Sequence, residues 1–504
     1  MKITVNTLLL VGLNAVVTPV HIEATRDARD PLLAIEGLRE SQTKETRVRV
    51  RAALQQSGVD LSGWTIHITA EPPPGASGQI DLAAAVGVLV CVGMVSETDI
   101  EKTFFVGELS LSGDVRPIRG ASSVVTSAAA NSPTGHMVPW VVVPWDNQAE
   151  ATRAAALDGD RVKIAPIKKL ADLFEGRPLA AAWERQNINH IHTGVDFAEV
   201  RGMGAARRAL EIAAVGGHHV LLVSPPGSSA TMIARRLITI LPARSDREIA
   251  ETTAIHSAAG LLRADLGYLP ERPFRAPHHT VSSSGLIGGG HPHRPGEVTL
   301  AHHGVLFLDE IQEFRRSALE EVARAVRAGQ VTHVGREEGR EYRVTFPSAP
   351  IVVGQVAPCP CGQLGSETKR CLCAPERITT YWDRLRKSPI WDLFDIRVHL
   401  APVNAATLAT VEHGESSAVI LERVSKALSA PPPLVVDSGI GSNDHPKRAL
   451  RNIARSTSEA EMARTLHVAR SVARLAGIPV VTEAHIAEAA NLRNVASSSK
   501  EAAS

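Results

Sequence analysis

The chain has 504 residues, of which 44% are hydrophobic and 21% charged, enough for two to four domains with ordinary cores. Its formal net charge of +1 excludes a strongly basic protein, so any contact with nucleic acid must come from a local patch or a pore. No stretch approaches the roughly 20 apolar residues of a spanning helix. We therefore expect a cytoplasmic protein without a membrane segment.

The first 182 residues mix strand-like runs with helical patterns. The opening apolar run is interrupted by Asn6 and Asn14 and lacks a clean cleavage site, so it indicates strands and not a signal peptide. IHITA and VVVPW are typical of further strands, while Glu45 to Gln56 has a helical pattern. These features predict an α+β domain over residues 1–182, followed by a polar linker over 183–196.

Helices and strands alternate over residues 197–400. VRGMGAARRALEIAAVGG is amphipathic, HVLLVS is typical of a buried strand, and ATMIARRLITILP is helical. Such alternation favours βαβ units on a parallel sheet. Residues 401–504 are rich in Ala, Arg and Glu at helical spacing, which predicts a small helical domain.

The octet SPPGSSAT lies between a predicted strand and a predicted helix, the context of the phosphate-binding motif G-x-x-x-x-G-K-[ST]. In that motif the glycines let backbone N–H groups surround phosphate, the lysine contacts the β and γ phosphates, and Ser/Thr binds Mg²⁺. Here Ser224 and Ser229 stand at the two glycine positions and Ala230 at the lysine position, so of the fixed positions only Thr231 survives, while Gly227 lies at a variable position of the loop. Taken alone, the octet is typical of an ordinary Pro-Gly turn before a helix, and the downstream sequence is what favours a nucleotide site.

A second nucleotide-site signal is the apolar run GVLFLDEIQEF, which ends in Asp309 and Glu310. In P-loop ATPases one acid holds the magnesium shell and the next polarises the attacking water. If a nucleotide binds, Thr231 and Asp309 are the predicted magnesium ligands. Without the upstream loop, a buried strand that ends in solvated acids explains the run as well.

Four of the five cysteines form two C-x-C units within fifteen residues, namely Cys359, Cys361, Cys371 and Cys373. Four thiolates at this spacing can surround Zn²⁺ tetrahedrally. The alternative is a group of reduced, partly buried thiols. Six histidines also lie close together, and for them we favour a structural or polynucleotide-facing role over a metal site: His278, His279, His291, His293, His302 and His303. Arg272, Arg275 and Arg294 nearby are candidates for phosphate contact, or form a solvated face.

The run RPFRAPHHTVSSSGLIGGGHPHRPGEVTLAHHGVLFLDE resembles the ComM family of Mg-chelatase-like AAA+ proteins, as do DFAEVRGMGAARRALEIAAVGGHHVLLV, PCPCG and VARSVARLAG. The resemblance implies an α/β protein with a P-loop AAA+ parallel-sheet core, an N-terminal α+β Lon-protease-like domain and a C-terminal helical lid. It also implies ATP and magnesium as ligands, and single-stranded or branched DNA as partner. The implied assembly is a homo-hexamer, or a mixed ring with an intact paralogue.

Several family positions carry other residues in this chain. Ala357 stands where the family has a sensor asparagine, Leu393 where it has an arginine finger, and Ala460 where it has a lid arginine. An arginine finger alone contributes about 10³–10⁵ to the rate. We therefore expect ATP hydrolysis to be impaired or absent, as in a pseudo-ATPase. The alternatives are an active ATP-dependent branch-migration helicase, and a zinc-stabilised scaffold or regulatory subunit without nucleotide.

The resemblance to Lon-like proteases implies a Ser and Lys dyad in the first domain. In this chain Asp81 aligns with the serine, and Ser122 lies roughly where the lysine belongs. Ser77 is a hydroxyl in a glycine-rich segment and is typical of a turn. We expect no proteolysis, and a role in assembly or partner contact.

Overall fold

The structure is a computed structural model, and it describes residues 1–26, 32–131, 138–175, 194–225, 229–366, 369–400, 413–434 and 458–493. Gly227 and residues 183–193 of the predicted linker lie outside the described residues.

The N-terminal region has these elements: β1 (Lys2–Val11), β2 (Asn14–Arg26), β3 (Leu32–Glu36), α1 (Glu40–Gln56), β4 (Trp64–Ala70), α2 (Asp81–Cys91), α3 (Glu97–Ile100), β5 (Thr103–Phe105), β6 (Glu108–Leu109), β7 (Val115–Arg116), α4 (Ala121–Ala130), β8 (Trp140–Pro144), α5 (Gln148–Leu157) and β9 (Lys163–Ile167).

The central region begins with α6 (Gly204–Gly216), β10 (Val220–Val223), α7 (Ala230–Leu237), α8 (Asp246–Ala259), β11 (Phe274–Arg275), α9 (Ser283–Ile287), β12 (Gly288–Gly289), β13 (Arg294–Pro295) and α10 (Glu297–Leu300). It continues with β14 (Val305–Leu308), α11 (Arg316–Ala328), β15 (Gln330–Glu337), β16 (Arg340–Pro347), β17 (Ile351–Val356), α12 (Pro375–Arg386) and β18 (Ile396–His399). The described C-terminal helices are α13 (Ser417–Ser429), α14 (Glu459–Leu475) and α15 (Glu483–Arg493).

The N-terminal region forms a mixed seven-stranded sheet in the order β3-β4-β2-β1-β5-β8-β9. Strand β2 alternates buried and exposed residues along most of its length, as expected for a strand with one face on the core. Helix α2 is buried throughout and lies against this sheet. Gly87 permits the close approach, since a Cβ there would lie 2.2 Å from Ile22 Cδ1.

The central region forms a five-stranded sheet in the order β11-β14-β17-β10-β18, and every pairing in it is parallel. Strands β10 (VLLV) and β14 (VLFL) are entirely buried, because helices cover both faces of such a sheet. The carboxyl ends of β10, β14 and β17 meet at one edge. In open parallel sheets this is the edge where ligands bind.

The described C-terminal helices pack beside α6 of the core. Arg208 of α6 pairs with Glu488 of α15 at 2.8 Å. Arg474 of α14 donates to the carbonyls of Ala427 and Ala430 at the end of α13, at 2.7 and 2.8 Å, and so satisfies groups that a helix end leaves open. The predicted α/β architecture, with an AAA+ core, an N-terminal α+β region and C-terminal helices, is confirmed.

Contacts on two sides join the N-terminal and central regions. The backbone N–H of Gly120, which precedes α4, donates to Ser257 Oγ of α8 at 2.9 Å. The β15–β16 hairpin reaches the other side, where Gly75 N–H donates to Glu337 Oε2 at 2.6 Å and Val344 packs near Leu13. The hairpin and α8 thus hold the two sheets together.

Candidate nucleotide and metal sites

Of the loop after β10 and the start of α7, the structure describes residues 224–225 and 229–231. Ser224 is fully buried, and its N–H donates to the Val356 carbonyl at 3.0 Å. Ser229, at the second glycine position, has a left-handed backbone with φ of +63°, which costs a non-glycine residue about 1–2 kcal/mol. Ala230 then begins α7 and is 7% exposed, so a methyl group stands in the lysine position. The side chain of Thr231 is exposed.

Gln355 of β17 links the ends of three strands. Its Oε1 accepts from the backbone N–H of Glu310 at 3.0 Å, and its Nε2 donates to the carbonyl and the hydroxyl of Ser224 at 3.2 and 3.0 Å. Both ends of the amide are therefore occupied by the protein itself. The motifs do not predict this residue, although a glutamine inside the apolar strand IVVGQV is a signal for a buried hydrogen-bonding role.

The two acids after β14 lie at the same sheet edge. Burial, and then the neighbouring Glu310, raise the pKa of Asp309. Glu310 has a left-handed backbone with φ of +52°, and His279 Nδ1 lies 3.8 Å from its Oε2. Among the described residues, His279 is the only basic side chain within 4.0 Å of either carboxylate. A raised pKa is the opposite of what a nearby lysine produces.

Three further positions carry a charged or amide side chain in the family and an apolar side chain in this chain. Leu393 is 6% exposed and packs in the core. The carbonyl of Ala357 accepts from Tyr381 OH at 2.9 Å. Ala460 lies exposed in the first turn of α14. At these three family positions the described residues therefore offer no side-chain charge or amide to a phosphate.

The four cysteines of the loop after β17 lie together. Cys359 Sγ is 3.5 Å from Cys361 Sγ and 3.6 Å from Cys371 Sγ, and all four sulfur atoms, including that of Cys373, lie within 4.8 Å of one another. Zinc bonded to thiolates at about 2.3 Å in a tetrahedron places the sulfurs about 3.8 Å apart. Disulfide sulfurs lie at about 2.05 Å. The cluster therefore fits a tetrahedral metal and not a pair of disulfides.

The surroundings of the cluster shift the pKa values of two of its thiols in opposite directions. Leu364 N–H donates to Cys359 Sγ at 3.3 Å, while burial raises the pKa of Cys359 to about 12. A backbone N–H of Gln363 lowers the pKa of Cys361 to about 6. Metal binding replaces the protons of such a cluster, and a bound cation offsets the cost of holding neighbouring thiolates together.

The predicted histidine group divides into separate contacts. His302 and His303 both meet Glu251 Oε2, with Nε2 at 3.3 and 2.8 Å. His302 Nδ1 accepts from Ala349 N–H at 3.0 Å, so neutral His302 carries its proton on Nε2 and donates it to Glu251. Neither ring nitrogen of His302 then has a lone pair for a metal. A hydrogen-bonded structural cluster fits these contacts better than a metal site.

Two of the three candidate phosphate contacts of this region are used inside the protein. Arg275 makes two hydrogen bonds of 2.6 Å to Glu297, and Arg272 donates to the carbonyls of His303 and Pro242. Of the three arginines, only Arg294 is exposed.

Of the two positions where the family resemblance implies a dyad, one holds an acid that pairs with an arginine and the other a serine. Asp81 is fully buried, lies 3.4 Å from Arg49 Nη1 and accepts from Leu109 N–H at 3.4 Å. Burial raises its pKa to about 6. Ser122 donates its backbone N–H to Glu150 at 2.7 Å, and Ser77 Oγ donates to the Leu10 carbonyl at 3.2 Å. An acid paired with arginine is not a nucleophile of the Lon type.

Comparisons with known proteins agree with this architecture. Residues 196–408 match the family described as magnesium chelatase, subunit ChlI, and residues 22–141 match subunit ChlI of Mg-chelatase. None of the helices in the described ranges has the length and apolar character needed to cross a bilayer.

Three relatives cover most of the chain. An uncharacterized protein of Mycobacterium tuberculosis is 35% identical, covering 82% of this chain and 79% of its own length. The uncharacterized protein YifB of Escherichia coli is 33% identical, with 84% and 81% covered. The competence protein ComM of Haemophilus influenzae is 29% identical, with 94% of each chain covered. The chain therefore belongs to the ComM-like Mg-chelatase family of AAA+ proteins.

Proposed function

We propose that this protein is a ring-forming, DNA-associated AAA+ protein that hydrolyses ATP weakly or not at all. The observation that carries the proposal is Ala230, which stands in the lysine position at the start of α7. A lysine in this position makes charge-assisted contacts with phosphate of roughly 1.5–3 kcal/mol each, and a methyl group makes none. The left-handed Ser229 supports the view that the frame of the loop remains while its phosphate ligand is lost.

The other half of the active site supports the same conclusion. Leu393 replaces the arginine finger and is buried, and Ala357 offers no side-chain amide to orient water. Asp309 and Glu310 remain, but two acids without a neighbouring lysine or arginine repel a polyanion. Without lysine, finger and sensor together, the residual acids are insufficient for efficient hydrolysis.

Association with DNA and ring formation are supported by the family, one of whose members is named as a competence protein. We propose a homo-hexamer, or a mixed ring in which an intact paralogue supplies hydrolysis. The cytoplasm is the proposed location.

We further propose that Cys359, Cys361, Cys371 and Cys373 bind structural zinc. The sulfur distances of 3.5–3.6 Å support tetrahedral coordination. Trp382 Nε1 donates to the Pro358 carbonyl at 3.1 Å, so the cluster and α12 together fasten the chain that leaves β17. All four ligands come from the protein, which favours a structural and not a catalytic metal.

The test is ATP turnover by the purified protein with and without single-stranded DNA. We expect little hydrolysis in either case, and no further loss in Glu310→Gln. Glu313→Gln, which alters an exposed acid three residues away, is the matched control. Robust hydrolysis that Glu310→Gln abolishes would overturn the proposal and establish an active DNA-dependent ATPase.

A further inference from the structure

We propose that the exposed face of α12, with the end of the cysteine loop before it, binds the phosphate backbone of nucleic acid. The surface, here called the basic stripe, consists of Arg377, Arg384 and Lys387, extended by Lys369 and Arg370. The inference rests on the proposed association with DNA and gives that association a place on the molecule.

The geometry of α12 separates an apolar face from a basic one. Trp382 is 6% exposed, and it packs in the core beside Tyr381 and Leu385. Arg377, Arg384 and Lys387 are exposed and follow one another at intervals of seven and three residues, which brings them to one side of a helix. The stripe extends about 15 Å along the helix axis, given a rise of 1.5 Å per residue.

The charge of this segment differs from that of the whole chain. The protein has 54 basic and 53 acidic residues, whereas residues 369–387 hold six basic residues, Lys369, Arg370, Arg377, Arg384, Arg386 and Lys387, against Glu376 and Asp383. Zinc with four thiolates carries two negative charges, and a surplus of cations still remains. A local excess of this kind is what nucleic-acid contact requires in a chain with almost no net charge.

The cations of the stripe are also available. Within the described ranges, no acid lies within 4.0 Å of Arg377, Arg384 or Lys387, whereas the neighbouring Arg386 pairs with Asp383 at 3.3 Å. Arg275, by contrast, is held by Glu297. Exposed cations without partners can replace the counterions of a phosphate backbone at little cost.

The stripe is rigidly attached to the core sheet. Tyr381 OH and Trp382 Nε1 donate to the carbonyls of Ala357 and Pro358, the two residues after β17. Leu372 lies between two cysteines of the cluster and is 88% exposed, which offers an apolar side chain beside the stripe. Apolar side chains contact or insert between bases in many DNA complexes. A nucleic-acid strand offers phosphates to the basic stripe and base faces to Leu372 at the same time, so it fits this combination.

The test compares the wild type with the triple variant Arg377→Gln, Arg384→Gln, Lys387→Gln. Binding to fluorescent single-stranded and duplex oligonucleotides is measured by anisotropy over a range of KCl concentrations. Loss of three phosphate contacts lowers the slope of log K against log salt by about 2 for a single strand, and about 3 for a duplex. We expect binding to weaken by about tenfold or more at 100 mM salt.

Two controls separate local contact from net charge and from folding. The first control is a triple variant with the same change in charge at exposed residues of the N-terminal region: Lys2→Gln, Arg47→Gln, Arg51→Gln. It should bind as the wild type does. The second control keeps the charge of the basic stripe: Arg377→Lys, Arg384→Lys, Lys387→Arg. It should retain the slope of log K against log salt. Thermal unfolding of each variant checks that the fold is intact.

The outcomes distinguish the two proposals. If the wild type binds DNA and the triple Gln variant binds with the same affinity and salt slope, the basic stripe is wrong and DNA association stands. If the wild type binds neither oligonucleotide, the proposed DNA association fails and the stripe fails with it. If the triple variant loses binding only to an acidic protein partner, the surface is a protein interface.

Discussion

Two loops leave neighbouring parallel strands of the core sheet, the phosphate loop after β10 and the cysteine loop after β17. In the cysteine loop four sulfur donors lie together. In the phosphate loop the lysine position holds Ala230, although Ser229 keeps the left-handed turn. The backbone conformation of a site therefore does not depend on the same residues as the side chains that bind its ligand.

The difference follows from where each side chain lies. A phosphate-binding lysine directs its amine away from the core, so an alanine in its place removes no packing. Ile233 and Ala234 of the following helix are fully buried and support α7 in either case. Cys359 is fully buried as well, so its replacement removes both a ligand and a core contact. We therefore expect the fold to tolerate the loss of a lysine at position 230 more easily than the loss of Cys359.

The largest expected effect is that of Cys359→Ser. We expect the bound zinc, measured by elemental analysis, to fall from one ion per chain to none. The free energy of unfolding should fall by about 3 kcal/mol or more, since structural zinc binds with an apparent 10–16 kcal/mol in small domains. Cys91→Ala is the control, because Cys91 lies outside the cluster and its loss should leave zinc unchanged. Full stability of the Ser variant with no zinc would show that the cluster does not hold the loop.

The next largest effect is expected at Gln355, which holds the phosphate loop to the end of β14. Gln355→Leu removes the bonds to Glu310 N–H and to Ser224, and it leaves buried polar groups unpaired. We expect a loss of about 2–4 kcal/mol in urea unfolding. Exposed Gln330→Leu should change the free energy of unfolding by no more than about 0.5 kcal/mol. Equal effects of the two changes would mean that Gln355 does not support the strand ends.

The smallest expected effect concerns the retained turn. Ser229→Gly should stabilise the protein by about 1 kcal/mol, because glycine adopts φ of +63° without strain and the Ser229 side chain makes no capping hydrogen bond. The same change at Ser57, where φ is −83°, should destabilise. Thermal unfolding of both variants measures the contrast, and a loss of stability in Ser229→Gly would contradict the left-handed turn.

Much of the architecture can be predicted from sequence, because buried strands and helices have recognisable patterns of apolar residues. The fully apolar runs of β10 and β14 predict parallel strands, and the pair of C-x-C units predicts that Cys359 and Cys371 meet. The structure adds their sulfur distance of 3.6 Å.

Other features depend on contacts between residues far apart in the chain. The amide of Gln355 meets Ser224, 131 residues earlier, and no local pattern shows that pairing. Arg275 and Arg377 are equally basic in sequence, but only the fold shows that Glu297 holds the first and that the second is exposed. Which charged side chains pair with each other is decided by the tertiary structure and not by the local sequence.

The most direct test of the central claim is a calorimetric titration of the protein with a non-hydrolysable ATP analogue and Mg²⁺. A loop without lysine, beside two acids without a strong cation, predicts no saturable binding below about 1 mM, a free energy weaker than about −4 kcal/mol. A micromolar Kd would contradict the account and show that other residues replace the lysine.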